Sequence, residues 1–298
     1  MPFCKFCKDN NIPFKQNEPM KNHTSFKIGG KADFYVECCS DECLRAVVTE
    51  CNRSDLPYFI IGKGSNILVS DKGVEGVVIS LCGFSEISCD GDVITVGAGV
   101  SLANLCTFAL ENSLSGLEFA YGIPGSVGGA LYMNAGAYGG EMSQVVISAK
   151  AMDKMGNIRE IKVGDMGLGY RESVFKTNGD IVLSASFKLK KDKKSDIKVR
   201  MDDFMSRRKD KQPLEFPSAG STFKRPVGNF AGALIEKNNL KGVSVGGAMV
   251  SDKHAGFVIN YNNATAKDVK ELMEKIKEVV RENDGVELEP EVIFIGKE

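Results

Sequence analysis

The sequence predicts an α+β fold in two parts, and three observations carry that reading. Strand–helix–strand blocks alternate with short strands that no helix separates. Two glycine-rich segments, Gly62–Asn66 and Tyr121–Gly140, each follow such a block. Between Lys188 and Lys211 the composition turns lysine- and arginine-rich, which marks a boundary. At 298 residues the length fits about two domains. The expected division is an N-terminal arm at 1–21, a first lobe at 22–82, a second lobe at 83–192 and a C-terminal domain at 193–298.

Residues 1–20 are polar and irregular and read as a loosely packed arm. A strand at Ala32–Cys38 precedes a helix capped by Ser40 or Asp41, with Leu44, Val47, Val48 and Cys51 on its apolar face. Tyr58–Ile61 reads as a buried strand, followed by Ile67–Val69 and Val77–Ser80. In the second block Val93–Val96 is a strand, and Ser101 caps a helix carrying Leu102, Leu105, Cys106, Ala109 and Leu110. Val145–Met152 and Ile158–Val163 flank Met155-Gly156-Asn157 as a hairpin, and Ile181–Leu189 alternates as a strand. The basic segment includes Ile197, Val199, Met201, Phe204 and Met205 and is expected to be partly helical, with a solvated face. Pro213–Pro226 is turn-rich. Thr265 and Asp268 form a capping box for a helix with Val269, Leu272, Ile276 and Val279 on one stripe, stopped by Gly285. A last strand is expected at Val292–Ile295.

The net charge of −1 leaves no overall electrostatic footprint for nucleic acid or an anionic membrane. No apolar run reaches the length of a membrane span, and the N-terminal residues lack a signal-peptide core, so a cytoplasmic location is expected. The nine cysteines fall between Cys4 and Cys106. Cys4-x-x-Cys7 has the spacing of a redox or zinc motif, but no second pair of metal spacing follows. Ordinary reduced thiols and no metal are expected.

Tyr121–Gly140 holds seven glycines among Ile123, Val127, Leu131, Met133 and two tyrosines, unlike a flexible linker. Two readings are compatible with it. One is a wall of backbone N–H groups lying against an anion or flat cofactor; the other is a tight-turn region between strands. Gly62-x-Gly64 after an apolar strand invites the dinucleotide fingerprint, yet Ile67 stands where a third glycine belongs and no amphipathic helix follows. The glycines with Ser65 and Asn66 can still form a phosphate nest. Two such segments suggest one long ligand held between two small lobes, and FAD has the required length and anionic middle. Neither segment carries histidine or cysteine, which excludes covalent flavin attachment there.

At these residues the chain resembles a known family. Gly62-Lys63-Gly64-Ser65-Asn66, Gly122-Ile123-Pro124-Gly125-Ser126-Val127-Gly128-Gly129 and Asn134-Ala135-Gly136-Ala137-Tyr138-Gly139 are similar to the FAD-binding lobes of the MurB reductases of peptidoglycan synthesis. Gly169-Tyr170-Arg171-Glu172-Ser173-x-Phe175-Lys176, Ala219-Gly220-Ser221-x-Phe223-Lys224 and Leu288-Glu289-Pro290-Glu291-Val292 match in the same order. The resemblance spans about residues 22–296 and looks like the shorter, type II-like form, although Ile293 stands where many members carry arginine. It implies a two-lobed FAD-binding domain of the vanillyl-alcohol-oxidase type followed by an α+β substrate-binding domain. It also implies non-covalent FAD, NADPH as hydride donor, and UDP-N-acetylglucosamine-enolpyruvate as the small-molecule acceptor, with no nucleic-acid partner or membrane insertion; a monomer is favoured.

The implied catalytic residues are Arg171, Ser221 and Glu291. Arg171 offers a permanent charge and planar fork to a carboxylate; a surface salt bridge is its plain alternative. Glu291 is implied to act as a protonated acid, which burial would favour. Glu289, two residues earlier on an extended segment, would face the other side. Ser221 is implied to deliver a proton to carbon, against a plain role as a turn hydroxyl. The implied cofactor contacts are Gly62, Lys63, Gly64, Ser65, Asn66, Gly122, Ile123, Pro124, Gly125, Ser126, Gly128, Gly129, Asn134, Gly136, Ala137 and Ile181. Tyr170, Lys224 and Arg225 are candidate substrate contacts. His23 and His254 are read as structural.

Overall fold

A computed structural model describes residues 2–297 of the chain. They form two compact units, each assembled from three chain segments. The first comprises Met1–Lys15, Phe34–Lys63 and Gly76–Arg208; the second comprises Gln16–Asp33, Gly64–Glu75 and Lys209–Glu298.

The first unit opens with helix α1 (Pro2–Asp9), where an unpacked arm is expected from sequence. The spacing of Phe3 and Cys7 turns both inward, and the Phe3 ring lies 4.9 Å from that of Phe34, tilted by 52°. Helix α2 (Asp41–Arg53) starts where Ser40 Oγ accepts the N–H of Cys43 at 3.2 Å. Its Leu44, Val47, Val48 and Cys51 are fully buried, each aliphatic side chain contributing about 1.5–3 kcal/mol of hydrophobic stabilisation. The neighbouring sheet runs in the order Phe14–Pro19, Lys31–Glu37, Val74–Ser80, Tyr58–Ile61, with Tyr58–Ile61 parallel to its partner.

A five-stranded antiparallel sheet completes this unit, ordered Ile158–Lys162, Val146–Met152, Ile181–Lys188, Val93–Gly97, Ile87–Asp90. The hairpin expected at Met155-Gly156-Asn157 is present: Met152 pairs with Ile158, and Gly156 takes φ 84°. Helix α3 (Leu102–Glu111) is capped by Ser101, as expected. Within the glycine-rich stretch lie a short helix α4 (Val127–Tyr132) and a hairpin pairing Gly136–Ala137 with Gly140–Glu141. Helix α5 (Val174–Asn178) ends on left-handed Gly179. The basic segment is helix α6 (Lys194–Lys211), and Arg200 fastens it to buried Glu118 through bonds of 3.0 and 2.9 Å. Glu118 also accepts from Ser115 and the Gly116 N–H, so its carboxyl is held below its ordinary range despite burial.

The second unit has its own core of Phe26, Ile28, Leu68, Leu234, Val269, Leu272, Ile276 and Val280, among others. Helix α7 (Ala231–Lys237) and helix α8 (Ala266–Asp284) lie in it beside a small antiparallel sheet, Ser244–Val245, Ala248–Val250, Val258–Asn260. The Thr265–Asp268 capping box forms, and Gly285 ends α8 at φ 67°. A second cap comes from a distant turn: the Asp71 carboxylate accepts the N–H groups of Ala266 and Lys267 at 2.8 and 3.0 Å. Strand Ile293–Ile295 runs parallel to Ile67–Val69, pairing Ile293 with Ile67.

That last pairing shows why boundaries drawn in sequence at 22, 83 and 193 fall elsewhere in three dimensions. Residues 64–75 belong with the C-terminal segment because their strand is completed there, while α6 packs Ile197 and Met201 into the core of the first unit.

Candidate active site

In the first unit, strand Tyr58–Ile61 delivers Gly62 against the second glycine-rich segment. A β-carbon on Gly62 would stand 2.2 Å from Ser126 Oγ, so the two segments meet where only glycine fits. Ser126 sits at the start of α4, is buried, and makes no side-chain capping bond. Among the described residues no acceptor faces the backbone N–H groups of Lys63, Gly125 or Ser126. By contrast, the N–H groups of Val127 and Gly128 are engaged by the carbonyls of Val100 and Ala98 at 2.9 Å each. Gly128 is tight against Ala98, whereas Gly129 meets only Ser126 Oγ, at 3.6 Å. Free donors on both segments, small side chains at their junction and an open face at Gly129 suit the diphosphate or a polar edge of a dinucleotide. The residues present therefore fit FAD.

Other expected cofactor contacts are placed differently. Gly122 lies under the side chain of Arg208, whose Cδ and Nε would be 3.0 and 3.1 Å from a β-carbon there. Arg208 Nη1 donates to the Gly122 carbonyl at 2.6 Å. Burial pushes its pKa below the ordinary arginine value, and its buried Nε finds no partner among the described residues. Ile123 packs against the core of this unit beyond Gly122, with Pro124 next in the turn. Gly136 and Ala137 form the hairpin whose turn residue Tyr138 stacks on Phe204 at 4.8 Å. Ile181 is buried in the sheet opposite Met152.

The Asn134 side chain is buried and engaged at both ends. Its Oδ1 accepts the Ser143 N–H, and its Nδ2 donates to the Gly169 carbonyl, each at 3.0 Å. Gly169 and Glu172 exchange backbone hydrogen bonds of 3.2 Å, closing a two-residue turn with Tyr170 and Arg171 at its tip. Arg171 takes φ 59°, strained for a residue with a β-carbon, and its guanidinium lies 5.0 Å over the Tyr170 ring. Lys176 Nζ donates to the Arg171 carbonyl at 3.3 Å, and Ser173 Oγ holds the next corner by donating to the Tyr132 carbonyl at 2.7 Å.

The second unit carries the remaining candidates on one ladder. Phe223 and Pro290 form an antiparallel bridge, with the Lys224 N–H on the Glu289 carbonyl at 2.8 Å and the Glu291 N–H on the Thr222 carbonyl at 2.9 Å. Ser221 precedes Thr222, so Ser221 and Glu291 occupy adjoining stretches of this ladder. Ser221 is half-buried after left-handed Gly220, and no hydrogen bond engages its hydroxyl among the described residues. Glu289 is exposed and pairs with Lys224 at 2.9 Å, which lowers its pKa, while Glu291 is half-buried. Asn66 does more than its place in a glycine loop suggests. Its Nδ2 donates to the Glu291 carbonyl at 3.1 Å, and its own carbonyl accepts the Ile293 N–H at 3.0 Å. Gly64 is wedged against the backbone of His23, 2.0 Å from the place of a β-carbon, with Ser65 leading into Asn66. Arg225 lies 4.7 Å over the Phe230 ring.

His254 Nδ1 accepts the Gly256 N–H at 3.0 Å, and burial lowers its pKa, so the ring is neutral. The Gly256 carbonyl in turn accepts the Thr222 N–H at 2.9 Å, which anchors the serine segment. His23 bonds Glu18 at 2.8 Å.

Comparison with known proteins follows the same two parts. Residues 212–295 match the C-terminal domain of UDP-N-acetylenolpyruvoylglucosamine reductase, and residues 32–162 match the FAD binding domain family. A reductase of that name from Clostridium novyi is 50% identical over 284 residues, covering 95% of this chain and 92% of its own. The chain belongs to the UDP-N-acetylenolpyruvoylglucosamine reductase family. One from Syntrophomonas wolfei is 52% identical over 285 residues, covering 95% of each chain. The crystal structure of the Thermus caldophilus member superposes with a TM-score of 0.82 at 36% identity, covering 95% of this chain and 98% of that one. An FAD-dependent oxidoreductase architecture, an FAD-binding part joined to the family's C-terminal domain, is thereby the one expected from sequence. No described helix is long and apolar enough to cross a membrane.

Proposed function

We propose that the protein reduces the enolpyruvyl group of UDP-N-acetylglucosamine-enolpyruvate to the lactyl ether of UDP-N-acetylmuramate. The observation that supports this most strongly is the Phe223–Pro290 ladder, which sets Ser221 and Glu291 on neighbouring backbone in a chain about half identical to named reductases. When bound, FAD supplies a non-covalent carrier of hydride between NADPH and the substrate.

Hydride arriving at the terminal carbon drives electron density into the adjacent carboxylate, and preorganised charge opposing that build-up is the largest catalytic contribution. Arg171 gives the carboxylate a permanent cation, presented by a turn whose strain is held by Asn134 and Lys176. Glu291 donates a hydrogen bond to the same carboxylate as a neutral acid. Ser221 transfers its hydroxyl proton to the second carbon; no protein group competes for that hydroxyl among the described residues. Tyr170, Lys224 and Arg225 bind the sugar-nucleotide part. Gly62–Asn66, Gly122, Ile123, Pro124, Gly125, Ser126, Gly128, Gly129, Gly136 and Ala137 line the FAD site, Ile181 backing it from the core, while the Asn134 side chain holds the Arg171 turn.

NADPH and a sugar nucleotide are both metabolites of the cell interior, which favours a cytoplasmic enzyme. A second reading, a reductase for another acceptor on the same FAD scaffold, is separated by one assay. NADPH consumption is followed on flavin-loaded protein with and without UDP-N-acetylglucosamine-enolpyruvate. Acceptor-dependent consumption is expected, and oxidation at the same rate without acceptor would overturn the assignment.

A further inference from the structure

The cysteines are left unexplained by the reductase reading. Six of them, Cys4, Cys7, Cys38, Cys39, Cys43 and Cys51, lie in or beside α1, α2 and the strand Lys31–Glu37. Among the described residues no group of three histidine, cysteine or acidic side chains could hold a metal ion. One pair stands apart: the sulfurs of Cys38 and Cys43 are 3.5 Å apart and hydrogen-bonded. Cys38 is fully buried just past strand Lys31–Glu37, and Cys43 is half-buried in the first turn of α2.

The geometry assigns Cys38 and Cys43 as a reversible dithiol/disulfide site in the FAD-binding unit, oxidised by hydrogen peroxide. Cys43 is the attacking sulfur. With both thiols protonated, Cys43 Sγ–H donates to Cys38 Sγ; once Cys43 has lost that proton, the contact with Cys38 is the main cause that holds its pKa below the ordinary thiol value, against the effect of burial, and the Cys39 backbone adds to this. The Cys38 pKa is raised by the same bond and by burial, so Cys38 keeps its proton. Other buried thiols are inert: burial raises the pKa of Cys7 and of Cys51 to about 12 each.

The thiolate of Cys43 displaces water from peroxide, giving a sulfenic acid: Cys43–S⁻ + H₂O₂ + H⁺ → Cys43–SOH + H₂O. With Cys43 oxidised, the thiolate that kept the Cys38 proton in place is gone; Cys38 gives up its proton as it attacks that sulfur, the S–O bond breaks, the S–S bond forms, and the proton leaves with the hydroxide as a second water. Two thiols are oxidised by two electrons, and one peroxide is reduced to two waters. The sulfurs need to approach by about 1.5 Å to bond.

The pair is linked mechanically to the cofactor loop. The Cys38 N–H donates to the Ser80 carbonyl at 3.0 Å, Ser80 pairs with Ile61, and Gly62 follows directly. Drawing Cys38 toward α2 displaces this rung and with it the Gly62–Ser126 junction. This consequence rests on the FAD reading; the cross-link does not.

The test uses the full chain as purified. After hydrogen peroxide and alkylation with iodoacetamide, peptide mass spectrometry is expected to find Cys38 joined to Cys43, about 2 Da lighter than the dithiol and restored by dithiothreitol. Cys43→Ser and Cys38→Ser each remove the cross-link, and Cys39→Ser keeps it. Full alkylation of Cys43 after peroxide, or a Cys39–Cys43 link in place of the expected one, overturns the assignment. On flavin-loaded protein, oxidation is expected to speed FAD release about fivefold or more in the wild type and not in Cys43→Ser. Equal release from both overturns the link to the loop. A protein that binds no flavin at all would sink the FAD reading instead, with the cross-link still decided by mass.

Discussion

The carboxamide of Asn134 is the buried strut of the Arg171 turn: it donates to the Gly169 carbonyl and accepts from Ser143, both at 3.0 Å. In Asn134→Asp the acceptor role survives, but a carboxylate oxygen then faces the Gly169 carbonyl. The loss of one buried hydrogen bond and the new repulsion are expected to cost about 1–3 kcal/mol of stability. Turnover is expected to fall about tenfold or more through a displaced Arg171, with FAD content unchanged. Steady-state kinetics beside flavin absorbance decide it; loss of flavin with normal turnover per flavin would assign Asn134 to the cofactor instead.

Gly62→Ala places a methyl group 2.2 Å from Ser126 Oγ. FAD affinity is expected to drop about tenfold or more. Ser126→Gly removes the obstructing hydroxyl, so the double variant is expected to regain part of the loss. Fluorescence titration of all four proteins gives the coupling, and strict additivity would show that the two segments do not meet.

Arg208→Ala releases the Gly122 carbonyl and empties the space over that glycine. The expected result is about 2–4 kcal/mol lower stability, because a buried guanidinium and its bonds are removed together. FAD release is expected to accelerate as the Gly122–Ser126 turn loosens. Urea unfolding and flavin release are the measurements; an unchanged release rate would confine Arg208 to packing.

Asp268 accepts N–H groups from Thr265 and Gly247, and those bonds hold its pKa below the usual carboxylate value. A pKa depressed on folding adds stability above the unfolded value near 3.9, and that stability is lost as pH falls through the folded value. His254, buried and neutral with a lowered pKa, likewise favours the fold above about pH 6.5 and less below it. Urea midpoints for the wild type and Asp268→Asn are therefore expected to differ most above pH 5 and to converge toward pH 3. A constant gap across that range would contradict the capping role.

Much of this was legible from residue pattern. Thr265, Ser101 and Ser40 carry their caps because a side-chain oxygen beside the first turn satisfies a local need. The two glycine segments were visible because backbone that allows only glycine leaves a compositional mark, whereas Arg171, Ser221 and Glu291 stand out only through the resemblance of their motifs to the family's. What escaped was non-local. Nothing near Asn66 says that it holds Glu291, over two hundred residues on, nor does Asp71 announce itself as a cap for α8. Arg208 was hidden in a basic run read as a solvated face, although it continues the stripe of Ile197, Met201 and Phe204 at helical spacing. The Pro2–Asp9 helix was missed because a single pair, Phe3 and Cys7, carries its inward face.

The parallel pairing of Ile67–Val69 with Ile293–Ile295 also sets a schedule for biosynthesis. Ribosomes add about 5–20 residues per second, so Leu68 leaves the exit tunnel roughly 10–45 s before the strand that completes it. Throughout that interval Phe26, Ile28 and Leu68 have no finished core to enter, while the first unit already holds every residue it needs once Arg208 has emerged. The nascent chain therefore carries a sticky, half-made second unit for most of its synthesis, the period in which a chaperone is of most use to it.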